Sequence, residues 1–337
     1  MNRKIKTKEG LLFGWARQYS QELLHSPMLC QRLSITRSDI QKAADLIRAG
    51  ELVAFPTETV YGLGALGLNE SAILKIFEAK NRPAYNPLIL HVASAEKALE
   101  LLDLESPELF WQLANQYWPG PLTIVAPKAK HVPYLATGGL DKVAVRVPAH
   151  PVALELLTLV DSPVVAPSAN ASQRPSSTTA EHVLLTLGDR ISAVLDAGPC
   201  EYGLESTVID ITQNPPVILR PGALILENLS FDTSNQINGS PGRLDKHYAP
   251  LISEIKLACL AELEQAPENT AFLLHTPRNF PGRICEILPN NPVAYGKELF
   301  AAFYRLEALG VKSLWIEELP QSLDWTSARD RITRALS

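Results

Sequence analysis

SDIQKAADLIRAGELVAF, residues 38 to 55, carries the unit from which most of this chain is built. Ser38-Asp39-Ile40-Gln41 reads as a capping box, in which a short hydroxyl side chain and a Gln three residues on satisfy each other's free backbone N–H groups. Ile40, Ala43, Ala44 and Ile47 then recur at the spacing of one helical face. Gly50 stops the helix, and the apolar run over 52 to 55 predicts a buried strand. The unit repeats. Asn69 caps a second predicted helix whose Ile73, Ile76 and Phe77 share a face, and 88 to 92 reads as another buried strand. Further helices are expected at 94 to 102, 107 to 117, 151 to 159 and 180 to 187. Strands are expected at 122 to 126, 143 to 147, 163 to 166, 193 to 196, 207 to 211 and 217 to 219. Alternation of this kind argues for an α/β fold, a twisted and largely buried sheet with helices packed on it.

After Ala223 the period is lost. FDTSNQINGSPGRLDKHYAP, residues 231 to 250, reads as a linker. From 252 a smaller series resumes, with strands near 253 to 257, 271 to 275 and 313 to 316, a helix over 296 to 309 and a final helix. The expected organisation is an N-terminal extension (1 to 35), a larger domain (36 to 226), a linker (227 to 251) and a small α/β domain (252 to 337). Two domains also suit 337 residues, because single cores stop growing at about 250 to 300.

Composition narrows the function. Hydrophobic residues at 46% and charged residues at 20% describe a chain that folds around a large core. A net charge of −5 gives no global basic field to draw it to long nucleic acids or anionic membranes, so any positive potential must be local. Cys30, Cys200, Cys259 and Cys285 form no C-x-x-C pair and indicate neither a zinc site nor a disulfide framework. No apolar run reaches the roughly 18 residues that span a bilayer. The first 35 residues lack the apolar core of a secretory signal, although their Arg-containing, acid-poor character also fits an organellar transit peptide. A cytoplasmic protein is expected.

Two separated stretches carry the chemistry. In AKNRPAYNPLILHV (79 to 92), Lys80 and Arg82 sit beside prolines that stiffen the backbone, and VVAPSANASQRPS (164 to 176) supplies hydroxyl and amide groups in Ser168 and Asn170. Together they read as two halves of one site for phosphate and carboxylate groups. Arg146, on a strand that ends at Pro148, could grip an amino acid carboxylate through two parallel N–H bonds, which Lys cannot do. Gly62-Leu63-Gly64-Ala65-Leu66-Gly67 matches G-x-G-x-x-G, but it does not directly follow the preceding strand and no acidic residue stands about 20 positions on to hold a ribose. A dinucleotide site is therefore set aside, and the glycines read as a tight turn.

FPTETVYGLGA (55 to 65), KNRPAYNPLILHV (80 to 92), WPGPLTIV (118 to 125), VAVRVPAHP (143 to 151), APSAN (166 to 170) and ESTVID (205 to 210) together resemble the YrdC family, over about residues 38 to 223. SPGRLDKHYAP (240 to 250) followed by a small α/β domain resembles the long-form threonylcarbamoyl-AMP synthases of that family. The resemblance implies a YrdC-like twisted open mixed sheet with flanking helices, then a smaller Rossmann-like domain. It implies a nucleotidyltransferase that takes L-threonine, bicarbonate and ATP to threonylcarbamoyl-AMP and pyrophosphate, the first step toward N6-threonylcarbamoyladenosine in tRNA. Mg2+ would accompany the ATP, and the product would pass to a tRNA threonylcarbamoyl-transfer machinery, with weak or no direct tRNA binding here. On the same resemblance Thr59, His91, Arg146, Ala166 and Ser206 surround threonine. Arg82, Asn86, Ser168, Ser176, Arg220 and Tyr248 line ATP, and Lys80 and Asn170 complete a catalytic, phosphate-facing group with Arg82 and Ser168. The linker would fold over the site.

Two positions depart from the family pattern. Lys142 stands where Thr is common near the nucleotide, and the linker lacks an earlier tyrosine. A different class of function, a double-stranded RNA-binding or ribosome-associated module, would need basic runs with interleaved aromatics, which the acidic balance does not favour.

Overall fold

The computed structural model describes residues 30–226 and 247–336, which form two sheets. The first contains β1 (Gln31–Leu33), β2 (Val53–Phe55), β3 (Gly62–Leu66), β4 (Ile89–His91), β5 (Leu122–Pro127), β6 (Lys142–Arg146), β7 (Val164–Val165), β8 (Ala193–Leu195), β9 (Thr207–Asp210) and β10 (Val217–Arg220). Their order across the sheet is β1-β8-β2-β3-β7-β4-β6-β5-β9-β10. The pairs β1/β8, β2/β8, β4/β6 and β5/β9 are parallel and the others antiparallel, so the sheet is mixed, as expected.

Both faces are covered, and strand residues alternate between them. Val53 and Phe55 pack under the helices Arg37–Arg48 and Pro151–Val160, while Ala54 faces the opposite layer of Glu70–Lys80, Glu108–Tyr117 and Ala180–Leu187. Ile40, Ala43, Ala44 and Ile47 form the buried stripe that their spacing predicts. The cap differs from the expectation. Thr36 is the N-cap, accepting from the Asp39 N–H, while the Asp39 carboxylate accepts from the Ser34 backbone and hydroxyl. The stretch 62 to 66 is also corrected. It is strand β3 rather than a turn, and its glycines let neighbours approach: a Cβ on Gly64 would sit 3.0 Å from the Phe55 ring and one on Gly62 3.2 Å from the Ala166 Cβ. The sheet begins at Gln31, inside the stretch assigned to the N-terminal extension; residues 1 to 29 lie outside the described ones.

The second sheet is wholly parallel, β11 (Glu254–Ala258), β14 (Ser313–Glu317), β12 (Thr270–Leu274) and β13 (Cys285–Ile287) in that order, with helices Pro292–Ala308 and Thr326–Leu336 enclosing its core. No helix among the described residues is long and apolar enough to cross a membrane.

The small domain sits directly on loops of the large one. Gly203 adopts φ +72°, and a Cβ there would fall 2.3 Å from the Lys297 carbonyl oxygen. Nearby, the Tyr304 hydroxyl donates to the Pro175 carbonyl at 2.7 Å, its ring stacks on His182 at 4.0 Å, and Arg174 pairs with Glu307 at 2.7 Å. Gly203→Ala is expected to cost about 2–4 kcal/mol, from the left-handed backbone and the collision together. Gly139→Ala, at φ +85° but with open space around it, should cost only about 1–2 kcal/mol. Chemical denaturation of the two variants checks this difference.

Candidate functional site

His91 and Arg146 are direct cross-strand partners at the ends of β4 and β6. The Ala166 N–H bonds the Ile89 carbonyl at 3.0 Å and brings the APSAN loop alongside, while Ser206 and Arg220 enter from the start of β9 and the end of β10. All five side chains expected at threonine, Thr59, His91, Arg146, Ala166 and Ser206, therefore line one cavity, together with Arg82, Ser168, Arg220 and Tyr248 from the nucleotide set. Its volume is about 50 Å3. That is room for a few waters.

Arg146 is held on three sides. Its Nη2 pairs with Glu58 Oε1 at 2.6 Å, Nη1 donates to Thr59 Oγ1 at 3.0 Å and Nε donates to the Gly120 carbonyl at 3.2 Å. Thr57 Oγ1 donates to the Val60 carbonyl at 2.6 Å, so the 2.8 Å contact between the two threonines is the Thr59 hydroxyl donating to Thr57. This relay fixes the Thr59 lone pairs toward Arg146. A guanidinium has five N–H groups, so two remain for a carboxylate. Glu58 Oε2 is buried with no protein partner. His91 is buried, and burial with Arg146 nearby pushes its imidazole down to about 3. The neutral ring lies with Nδ1 3.2 Å from the Ile89 carbonyl, which assigns the proton to Nδ1 and leaves Nε2 as an acceptor.

The residues expected at ATP and phosphate split into lining and support. Arg82 faces the cavity with its Nε–H buried and unpartnered, and burial followed by Arg220 lowers its pKa to about 10, still cationic at neutral pH. Arg220 donates from Nη2 to the Ser206 carbonyl at 2.9 Å. Lys80 stands behind the lining. Its ammonium clasps the carbonyls of Ser168 and Asn170, and burial lowers its pKa well below the usual lysine range, so in this structure it fastens the two anion-binding stretches together instead of facing open space. Asn170 binds the Ala171 and Arg174 carbonyls, Ser176 donates to Glu205, and Asn86 is buried with its Nδ2 unpartnered; these three also lie outside the lining. Lys142 is paired with buried Asp210 at 2.9 Å.

Glu205 and His247 line the cavity without having been singled out from the sequence, although both lie in quoted motifs. Burial alone would push the Glu205 carboxyl up, but Arg331, Arg220 and the Ser176 hydroxyl outweigh it and hold it at about 2. Of the expected linker, residues 227 to 246 lie outside the described residues. His247 and Tyr248 lie in the cavity wall itself. Tyr248 has φ +64°, stacks on Phe300 at 5.3 Å and has its hydroxyl pKa pushed up to about 12 by burial.

A family model described as Telomere recombination matches residues 45–222, and a model of the threonylcarbamoyl-AMP synthase C-terminal domain matches residues 208–337. The chain belongs to the Sua5–YciO–YrdC family. It has the family's long, two-domain form, as the motifs implied. The threonylcarbamoyl-AMP synthase of Pyrococcus abyssi is 52% identical over 223 residues, 63% of this chain and 65% of its own, so the match falls just short of two thirds of that relative. That of Bacillus subtilis is 42% identical over 254 residues, 72% of this chain and 71% of its own. The crystal structure of P. abyssi Sua5 complexed with L-threonine has a TM-score of 0.80 at 39% identity, covering 91% of this chain and 97% of that one.

Burial also pushes His247 down to about 3, with Arg82, Lys80 and Arg331 adding to it against Glu205. His91 and His247 thus stay neutral when folded but protonate near 6.5 when unfolded, so the unfolded chain gains protons first and stability falls as pH drops below about 6.5. Glu205 adds a second loss, beginning near its ordinary 4.5 and complete below about 2. At pH about 5 each histidine should cost roughly 2 kcal/mol. Thermal unfolding should show a lower Tm at about pH 5 than at about pH 7.5, with the His247→Gln variant losing less; equal Tm values would contradict it.

Proposed function

We propose that this protein condenses L-threonine, bicarbonate and ATP into threonylcarbamoyl-AMP and pyrophosphate, the first step of N6-threonylcarbamoyladenosine formation in tRNA. The observation that carries this is buried charge around one cavity. Arg82, Arg146 and Arg220 line it against one carboxylate, Glu205, which Arg331 pairs from outside the lining, and all of them are shielded from water. A site with that excess is made for anions, here a carboxylate or carbamate and a triphosphate.

The two halves divide the work. The two remaining N–H groups of Arg146 suit the threonine carboxylate, and the acceptor Nε2 of His91 suits an amino or hydroxyl donor. Arg82, with its unpartnered Nε–H, and Arg220 suit the phosphates. The threonine amine and bicarbonate give a carbamate and water; a carbamate oxygen then attacks the α-phosphorus as pyrophosphate leaves. No protein nucleophile is needed, so catalysis is alignment and charge neutralisation. Magnesium fits as a companion of the triphosphate: Glu58 and Glu205 are each taken by an arginine, and no three-residue His, Cys, Asp or Glu cluster occurs among the described residues. Bound there, the ion would neutralise the leaving phosphates while keeping most of its waters. The product would then pass to a tRNA threonylcarbamoyl-transfer machinery.

The space is small, about 50 Å3, and His247 and Tyr248 form part of its wall. The linker is thus read as a lid that withdraws to admit substrates and closes to keep water from the adenylate.

Pyrophosphate release should depend on both threonine and bicarbonate and fall about 100-fold or more in Arg146→Ala, which removes the carboxylate clamp. Equal release with threonine omitted would overturn the assignment. Deleting residues 240 to 250 should raise hydrolysis of the adenylate relative to its synthesis, measured by the ratio of AMP to threonylcarbamoyl-AMP; an unchanged ratio removes the lid.

A further inference from the structure

Arg331 has no exposed surface, yet it belongs to helix Thr326–Leu336 of the small domain and reaches into the site of the large one. Its Nε donates to Glu205 Oε2 at 2.7 Å, and its Nη2 donates to the carbonyl of Pro221, the residue after Arg220, at 3.0 Å. Its Nη1 is paired with Asp330 at 2.5 Å, and its guanidinium carbon lies 5.1 Å from the Tyr248 ring centre. The other Glu205 oxygen accepts from the Ser176 hydroxyl. One cation therefore braces a cavity carboxylate, the backbone beside a phosphate-side arginine, and the ring of the linker.

We propose that Arg331 is a positioning residue for the nucleotide half of the site, holding Glu205 so that its charge is not turned on the phosphates. This rests on the function proposed above. A carboxylate in the wall of a triphosphate site works against binding unless something neutralises it. Arg331 does so from outside the cavity, and the ionised Glu205 it maintains is consistent with the low pKa of that group. Without Arg331 the charge left to hold the Glu205 carboxyl down is that of Arg220. The threonine half is separate, because Arg146 is fixed by Glu58, Thr59 and Gly120, none of which Arg331 touches.

A plain interdomain pin would behave differently, and binding to the full-length protein separates the two. In Arg331→Met, calorimetric affinity for a magnesium-bound ATP analogue with a non-hydrolysable α,β bridge should fall about tenfold or more, while L-threonine affinity stays within about twofold. Ser327→Ala, which removes a 2.7 Å hydrogen bond from the same helix to the Gly222 carbonyl without touching Glu205, should leave both within about twofold. Arg331→Lys keeps the charge but loses the fork, and should give an intermediate loss for the analogue alone. If Arg331→Met does not fold, Arg331→Lys decides. Unchanged analogue affinity, an equal loss of threonine binding, or the same loss in Ser327→Ala overturns the role of Arg331. An unaltered protein that binds neither ligand overturns instead the function on which it rests.

Discussion

Positive charge kept away from water is the constraint around which this molecule is organised. Arg146, Arg82, Arg220 and Arg331 are each nearly or wholly buried, and a buried guanidinium is costly unless its N–H groups are met. Glu58, Thr59 and the Gly120 carbonyl meet those of Arg146; Glu205, Asp330 and the Pro221 carbonyl meet those of Arg331. The partners hold the cations still but do not cancel them. Positive charge is left over, and the low-dielectric wall gives it far more reach than it would have in water.

The mixed sheet explains how so many polar groups converge without unravelling the core. His91 and Arg146 are neighbours only because β4 and β6 pair in parallel, while Ala166 joins them through the antiparallel β7. The strands themselves are short and apolar, and the polar side chains stand at their ends or in the loops beyond, where ligand sites of open sheets gather. Lys80 ties two of those loops into one body by taking the carbonyls of Ser168 and Asn170. The site is thus braced at its floor by Lys80, and at its roof Tyr248 lies between Phe300 and Arg331.

Much of this was legible in the chain. Helical stripes such as Ile40, Ala43, Ala44 and Ile47 announced themselves by period, since one buried face forces that spacing. The glycine-rich stretch 62 to 66 misled, because glycine marks both turns and strands pressed against bulky neighbours, and only the Phe55 ring and Ala166 reveal which applies. Thr36 rather than Ser38 caps the first helix: Thr36-Arg37-Ser38-Asp39 has the capping spacing two residues earlier, and Thr36 accepts the Asp39 N–H.

Residue types alone pointed to an anion site with Arg82 and Arg146 in it, the family resemblance added Arg220, and local period predicted two α/β units, because period and side-chain chemistry are properties of short stretches. Only the tertiary structure decided which groups face the cavity and which stand behind it. Lys80 and Asn170 turned out to be supports, while Glu205 and His247 proved to be wall. Arg331, 126 residues from Glu205, became part of the same charge network, since pairing across that distance depends on how two domains dock.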